Sequence, residues 1–185
     1  MRQPELLQTI LSRSYRGRYD GAPVPREDLQ AILEAGLAAP SGCNKQTTSL
    51  IAVDDPALLA DLKKLIGPPV CATAPAIICV LTRPIIAYGD RTYFVQDYAA
   101  AIENMLLAIC ALGYASCWYE GHITDADDIG GQMAKRLGVP EDYRLVCALP
   151  VGIPAEPVRA PLKKPFAERA WFNGCGAKEG KERCP

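Results

Sequence analysis

The stretch YFVQDYAAAIENMLLAICALG, residues 93–113, decides the fold class of this 185-residue chain. Tyr98, Ile102 and Met105 belong to an apolar set at helical spacing, and small alanines occupy the other faces. A helix of this composition is buried nearly all round, and Gly113 is a typical residue just beyond its C-terminus. The pattern predicts a central core helix from about residue 93 to residue 112.

Helices and strands alternate on both sides of this segment. The helices predicted from apolar periodicity cover residues 6–11, 25–37, 56–66 and 125–137. The strands predicted from short apolar runs cover residues 49–53, 76–82, 115–119 and 143–151. This order predicts a layered α/β or α+β domain.

The sequence changes character after Gly152. Residues 153–169 (IPAEPVRAPLKKPFAER) contain prolines and lysines, and the remaining end is rich in glycine and charge without periodicity. We find no internal repeat and no second core. We therefore expect a core of residues 1–152 and a C-terminal arm of residues 153–185 that needs another surface to pack on.

Composition and charge exclude several classes of protein. A hydrophobic content of 49% excludes a disordered chain, and 20 basic and 21 acidic residues are mixed without the single-sign field that draws proteins onto nucleic acid. No stretch approaches the roughly 20 apolar residues that span a bilayer, and the N-terminus lacks the pattern of a secretory signal. We expect a soluble, cytoplasmic protein with no nucleic-acid or membrane partner.

The eight cysteines do not predict a disulfide framework, because a chain of this size and apolar content does not need one. Cys79, Cys110 and Cys147 lie inside apolar runs, where a thiol acts as a small hydrophobe. There is no CxxC, and His122 is the only histidine. The signal for a metal site is therefore weak, and we predict none.

Two basic segments could hold an anion. Ser12-Arg13-Ser14-Tyr15-Arg16 places two guanidiniums among hydroxyls at the end of the first predicted helix, which suits a phosphate. Lys163-Lys164 in the arm supplies a second candidate. A short basic cluster is more typical of a solvated surface, so these segments gain weight only in combination.

Two further segments carry polar groups on loops. In residues 39–46 (APSGCNKQ), Ser41, Asn44 and Gln46 offer donors and acceptors that suit the edge of a heterocycle, although the composition also suits an ordinary connection. Residues 113–122 (GYASCWYEGH) end in Glu120-Gly121, where a loop can present backbone groups to a ligand. A buried strand followed by a turn is the plain alternative.

In this order the segments resemble the FMN-dependent nitroreductase family over about residues 4–170. The resemblance is carried by a combination of motifs in family order. They are the basic-Ser-x-basic segment at Arg13 to Arg16, the V-P-x-x-x-L helix at Val24 to Leu29, the A-P-S-x-x-N-x-Q loop at Ala39 to Gln46, the D-x-x-x-x-x-x-N helix at Asp97 to Asn104, and the L-G-x-x-x-C-W strand at Leu112 to Trp118.

The resemblance implies an α+β fold with a central, mainly antiparallel sheet flanked by helices, built as an intertwined homodimer with FMN at the interface. It assigns Arg13, Ser14, Arg16, Lys163 and Lys164 to the FMN phosphate, and Pro40, Ser41, Asn44 and Gln46 to the flavin ring and ribityl chain. It also places a backbone N–H of Glu120 or Gly121 near flavin N5.

The implied reaction needs no catalytic side chain, because the flavin carries the electron chemistry. NADH or NADPH visits as a transient co-substrate, and a nitroaromatic, quinone or similar small acceptor takes its place. Some positions depart from the family: Ser12 replaces the first basic residue, and Thr47-Thr48 follows the loop where a tryptophan is frequent.

Two alternatives stay open at this point. One is a specialised flavin-cleaving or dehalogenating relative, which would need a long lid, whereas residues 83–96 form only a short connection. The other is a non-catalytic flavin- or metal-binding redox sensor that uses the cysteines.

Overall fold

The computed structural model describes residues 4–14, 17–67, 69–120, 123, 126–159 and 162–175. The helices in this part are α1 (Glu5–Ser12), α2 (Arg26–Leu37), α3 (Pro56–Ile66), α4 (Pro69–Ala72), α5 (Phe94–Ala111), α6 (Ile129–Arg136) and α7 (Phe166–Arg169), with a 3-10 turn at Gly42–Asn44. The strands are β1 (Thr48–Val53), β2 (Ala76–Thr82), β3 (Ile86–Tyr88), β4 (Arg91–Thr92) and β5 (Arg144–Val151).

A three-stranded antiparallel sheet in the order β1-β2-β5 forms the centre of the fold. The register runs from Thr48 opposite Thr82 to Val53 opposite Ile77 on one side of β2, and β5 pairs with the other side. Every residue of β2 is buried, which explains why its sequence AIICVLT is continuously apolar and does not alternate. The short β3 and β4 form a separate two-stranded ribbon.

Apolar side chains cover both faces of the sheet. On one face, Ile78, Val80 and Leu149 pack with residues of α2 and α5. On the other face, Ile77 and Cys79 pack with residues of α3 and α6. The sheet is thus the middle layer between two helical layers, as expected from the alternation of elements.

The prediction of a central core helix is confirmed in α5. Its buried residues include Tyr98, Ile102, Met105 and Ile109, and the chain leaves the helix at Gly113 with a φ of 85°. By length and composition α5 could cross a membrane, and among the described helices it alone meets that test. Most of its buried side chains belong to the main hydrophobic core.

Two predicted elements were wrong in their extent. Residues 115–119 do not form a continuous strand, because only Ala115 and Tyr119 make bridges, to Gly152 and Ala148 respectively. The helix predicted from residue 125 begins only at Ile129. Asp128 delays it, because this residue takes a left-handed conformation and accepts a hydrogen bond from the Gly131 N–H as the N-terminal cap.

Candidate functional site

The loop that joins α2 to β1, residues 40–47, has an unusual backbone. Cys43, Asn44 and Gln46 have φ values of 49°, 53° and 49°, in the left-handed region that residues with a Cβ avoid, asparagine less strongly than most. Such conformations cost free energy and persist only where the surrounding structure imposes them. Strain concentrated in a polar loop is typical of a functional segment.

Asp97 in the first turn of α5 holds this loop in place. Its carboxylate accepts a 2.7 Å hydrogen bond from the Gly42 N–H and a 2.7 Å hydrogen bond from the Thr47 hydroxyl. Asp97 is 4% exposed, and its bond to Thr47 is buried whereas its bond to Gly42 is partly buried, so both are shielded from water, which strengthens them. Ser41 Oγ adds a 2.9 Å bond from the Gln46 N–H.

Tyr93 fixes the loop sterically at Gly42. A Cβ at Gly42 would lie 2.7 Å from carbon atoms of Tyr93, which is too close for any side chain larger than hydrogen. The absence of a side chain therefore lets the loop pack directly against the start of α5, beside the Asp97 carboxylate.

Part of this loop lines a small cavity. The concavity has a volume of about 310 Å³ and is lined by Pro40, Ser41, Gln46, Thr48 and Asp97 among others, and we call it the Ser41 cavity. The side chains of Asn44 and Gln46 are exposed, and within the described residues their amide groups make no hydrogen bond. These amides are therefore available to a ligand.

Arg13 and Ser14 line a second concavity of 320 Å³, the Arg13 cavity, together with Ser12, Ser116 and Val158. Arg13 Nε lies 3.4 Å from Glu103 Oε1, which orients the guanidinium. The Ser116 hydroxyl is buried, and no partner for it occurs in the part of the chain that the structure describes. A guanidinium among serine hydroxyls fits an anion of phosphate size.

The two arm lysines predicted for the phosphate are not gathered there. Lys163 and Lys164 are exposed in the arm and do not line the Arg13 cavity. Val158, which precedes them, does line it, so the arm passes this cavity. Arg16 lies outside the described residues, as does Gly121.

Glu120 lines a third concavity of 490 Å³, the Glu120 cavity, with Phe94, Tyr98, Tyr143 and Arg144. The Tyr98 hydroxyl donates to Glu120 Oε1 at 2.8 Å, and the Trp118 indole N–H donates to Oε2 at 2.6 Å. Burial, followed by the hydrogen bond to Glu120, raises the pKa of Tyr98 well above its usual range. Tyr98 therefore remains a protonated donor.

The three cavities have no lining residue in common, so within the described ranges one chain does not bring the predicted residues into a single pocket. Helix α5 nevertheless reaches each of them. Asp97 lines the Ser41 cavity, Tyr98 lines the Glu120 cavity, and Cys110 lines the Arg13 cavity.

Sequence reasoning missed Tyr98 as a partner of Glu120 and used Asp97 only as the first position of the D-x-x-x-x-x-x-N motif. The structure shows that Asp97 holds the loop of residues 40–47. The available signal was an aspartate near the start of a helix that is otherwise almost wholly apolar, because a buried carboxylate requires polar partners.

The cysteines predicted as small hydrophobes mostly behave in that way. Cys79 and Cys147 are buried in the core, whereas Cys110 is only partly buried. Burial raises the pKa of the Cys79 thiol to about 12. Within the described ranges, no group of three or more His, Cys, Asp or Glu residues is arranged to hold a metal ion.

Comparison with known proteins confirms the fold class. A model of the Nitroreductase family matches residues 12–68 and 63–153. A protein of Archaeoglobus fulgidus, provisionally named NADH dehydrogenase/NAD(P)H nitroreductase, is 29% identical over 153 residues, which cover 82% of this chain and 87% of that protein.

Two solved structures contain FMN. The nitroreductase of Bacteroides fragilis with bound FMN is 30% identical to this chain and superposes with a TM-score of 0.76. The match covers 92% of this chain and 99% of the Bacteroides chain. A protein of Desulfovibrio desulfuricans, provisionally named a nitroreductase and solved in complex with FMN, is 29% identical with a TM-score of 0.75. The match covers 90% of this chain and 95% of the Desulfovibrio chain.

Replacing Asp97 tests its role as the anchor of the loop. We expect Asp97→Ala to lower the free energy of unfolding by about 2–6 kcal/mol, because one buried and one partly buried donor lose their partner at about 1–3 kcal/mol each. Urea denaturation measures the change. Asp54→Ala is the control, since Asp54 bonds Arg26 at 2.7 Å on the surface and should matter much less. Equal losses of unfolding free energy in both variants would refute the role of Asp97 as the anchor of the loop.

Proposed function

Because this chain belongs to the Nitroreductase family, we propose that it is an FMN-dependent oxidoreductase that passes electrons from NADH or NADPH to a small acceptor such as a nitroaromatic or a quinone. The observation that carries the proposal is the loop of residues 40–47. Its backbone is strained, Asp97 holds it rigidly, and the amides of Asn44 and Gln46 are left exposed. Strain with unpaired polar groups indicates binding and not mere connection.

The residues present fit FMN in charge and hydrogen-bonding capacity. We propose that Arg13 and Ser14, with Arg16, Lys163 and Lys164, hold the phosphate, since the Arg13 cavity offers a cation, hydroxyls and the orphaned Ser116 Oγ. Pro40, Ser41, Asn44 and Gln46 would contact the flavin ring and ribityl chain. The Glu120-Gly121 turn would supply a backbone donor to the ring.

When bound, FMN would supply the electron-transfer chemistry between a reduced nicotinamide and the acceptor. The chain would bind and orient it. No side chain has to act as a nucleophile, and we assign no catalytic residue. Tyr98 is not a proton source at neutral pH, since its raised pKa keeps the proton on the phenol.

A homodimer would bring the three cavities of one chain next to those of a second copy. Two exposed apolar surfaces support this assembly. Helix α1 has no buried residue although it carries Leu6, Leu7, Ile10 and Leu11. In the arm, which we assign to residues 153–185 beyond a core of residues 1–152, Leu162, Phe166 and Phe172 are also exposed. Apolar surface of this kind is typical of an interface.

We propose a soluble, cytoplasmic location without a membrane or nucleic-acid partner, supported by the mixed charges and by the packing of α5 in the core. A cysteine-based sensor has less support, because burial keeps Cys79 and Cys147 protonated. A flavin-cleaving or dehalogenating relative also has less support, since only the short ribbon of β3 and β4 lies between β2 and α5 where a long lid would be needed.

The purified protein should be yellow, with a flavin absorbance between 300 and 550 nm and FMN released by heat in about one copy per chain. NADH or NADPH should bleach the colour, and a quinone or nitroaromatic should restore it. An absorbance spectrum with identification of the released cofactor makes the measurement. A colourless protein that also fails to take up added FMN overturns the proposed function.

Arg13→Ala should separate phosphate binding from ring binding. We expect the dissociation constant for FMN to rise about 10- to 100-fold, the value of a lost charged hydrogen bond. Binding of riboflavin, which has no phosphate, should stay unchanged. Fluorescence titration of the apoprotein measures both. Arg26→Ala is the control, because Arg26 pairs with Asp54 outside the three cavities. Equal weakening of both ligands would contradict the assignment.

Charge on α1 should break the dimer. In solution the wild-type protein should have a mass twice the 20.0 kDa of one chain. The double variant Leu7→Asp, Leu11→Asp should be a folded monomer with weakened FMN binding. The side chains replaced are exposed by 46% and 62% in one chain, so the single chain tolerates the charge. Ile86→Asp on the exposed ribbon should leave the mass unchanged. A monomeric wild type would rule out the dimer.

A further inference from the structure

Both carboxylate oxygens of Glu120 are occupied by donors from separate parts of the fold. The Tyr98 hydroxyl from α5 donates to Oε1 at 2.8 Å, and the Trp118 indole N–H donates to Oε2 at 2.6 Å. Hydrogen bonds to an ionised group are about twice as strong as neutral ones. The side chain of Glu120 therefore cannot turn toward a ligand without losing one of these two bonds.

The backbone around Glu120 is also tied to the core. Tyr119 and Ala148 exchange two backbone hydrogen bonds, at 3.2 Å and 2.9 Å. The Glu120 carbonyl accepts a 2.8 Å bond from the Ile123 N–H, and the Ile123 carbonyl accepts a 2.9 Å bond from the Gly130 N–H. Among the described residues, the Glu120 N–H has no acceptor.

Tyr98 and Trp118 differ in how they are placed. Tyr98 is 6% exposed within α5, so its hydroxyl is fixed by the packing of the core. Trp118 is 40% exposed and belongs to the same segment as Glu120. One donor thus ties Glu120 to the rigid centre of the fold, and the other closes the segment on itself.

We propose that Tyr98 and Trp118 are positioning residues for the cofactor, because they hold back the Glu120 carboxylate so that the turn offers its backbone N–H to the flavin. This inference rests on the proposed function, which supplies the flavin. The physical reason is electrostatic. A released carboxylate would add negative charge beside a ring that gains electrons, whereas an N–H donor attracts that charge.

The variants Tyr98→Phe and Trp118→Phe each remove one donor and keep an aromatic ring. We expect each to weaken FMN binding about tenfold, near the value of one hydrogen bond to a charged group. We also expect a more negative flavin midpoint potential, because the reduced flavin should lose more binding free energy than the oxidised flavin. A tenfold selective loss of the reduced form corresponds to about 30 mV for a two-electron couple.

Titration of the apoprotein with FMN and equilibrium reduction against a reference dye provide these two readouts. A merely structural role would lower the melting temperature without moving the potential. Tyr19→Phe is the matched control, because it removes a buried phenol that donates to the Pro150 carbonyl at 3.2 Å, outside the three cavities. It should cost stability and leave the potential unchanged.

Glu120→Gln supplies the second half of a double-mutant cycle. Gln removes the negative charge that the two donors hold back, so Tyr98→Phe should shift the potential less in this background than in the wild type. Equal shifts in both backgrounds would mean that Tyr98 does not act through Glu120, and would overturn the inference.

The remaining outcomes separate the two proposals. A wild-type protein that does not bind FMN overturns the proposed function and this inference together. A wild-type protein that binds FMN, with both Tyr98→Phe and Trp118→Phe matching its affinity and potential, overturns the inference alone. If Tyr98→Phe does not fold, Trp118→Phe decides, because its partly exposed ring is not part of the core.

Discussion

A buried carboxylate with two hydrogen bonds holds a loop that would otherwise relax. Asp97 accepts hydrogen bonds from the Gly42 N–H and the Thr47 hydroxyl. The left-handed residues Cys43, Asn44 and Gln46 lie between these two donors in the sequence. The position of Asp97 in the first turn of α5 also favours its negative charge, because the N-terminus of a helix carries partial positive charge. The helix thus stabilises the group that holds the loop.

The neighbouring residue extends the same arrangement to a second segment. Asp97 contacts the loop of residues 40–47, and Tyr98 contacts Glu120, so consecutive residues of α5 hold the two segments that we propose as contacts of the flavin. The buried residues Ile102 and Met105 fix α5 against the sheet. The rigidity of the core is thereby passed directly to the loops, which is the support that a binding site needs.

Local patterns could be predicted from the sequence where they reflect burial. The apolar periodicity of α5 and the continuous apolar run of β2 were sufficient, because each element buries its side chains on all sides. The isolated bridges of Ala115 and Tyr119 were not predictable, since they depend on where β5 lies. The left-handed cap at Asp128 and the short ribbon of β3 and β4 carry almost no periodic signal.

The candidate site was predictable only as a set of segments. The polar composition of residues 40–47 marked the loop, but its contact with Asp97 joins residues 50 positions apart, which no local pattern encodes. The separation into three cavities also depends on the folded chain. The roles of Arg13, Asn44 and Lys163 toward a cofactor stay predictions, because they depend on a ligand and a second copy.

In the left-handed loop, substitutions that would raise thermal stability conflict with the proposed recognition of a ligand. Glycine would relieve about 1–2 kcal/mol of backbone strain at each such residue, and a search for thermostable variants would therefore favour it there. At Asn44 and Gln46 the same exchange would delete the exposed amides. Cys43 shares the backbone conformation but contributes an exposed thiol for which we assign no role. Engineering for thermal stability can thus begin at Cys43, whereas Asn44 and Gln46 should be kept for their amides.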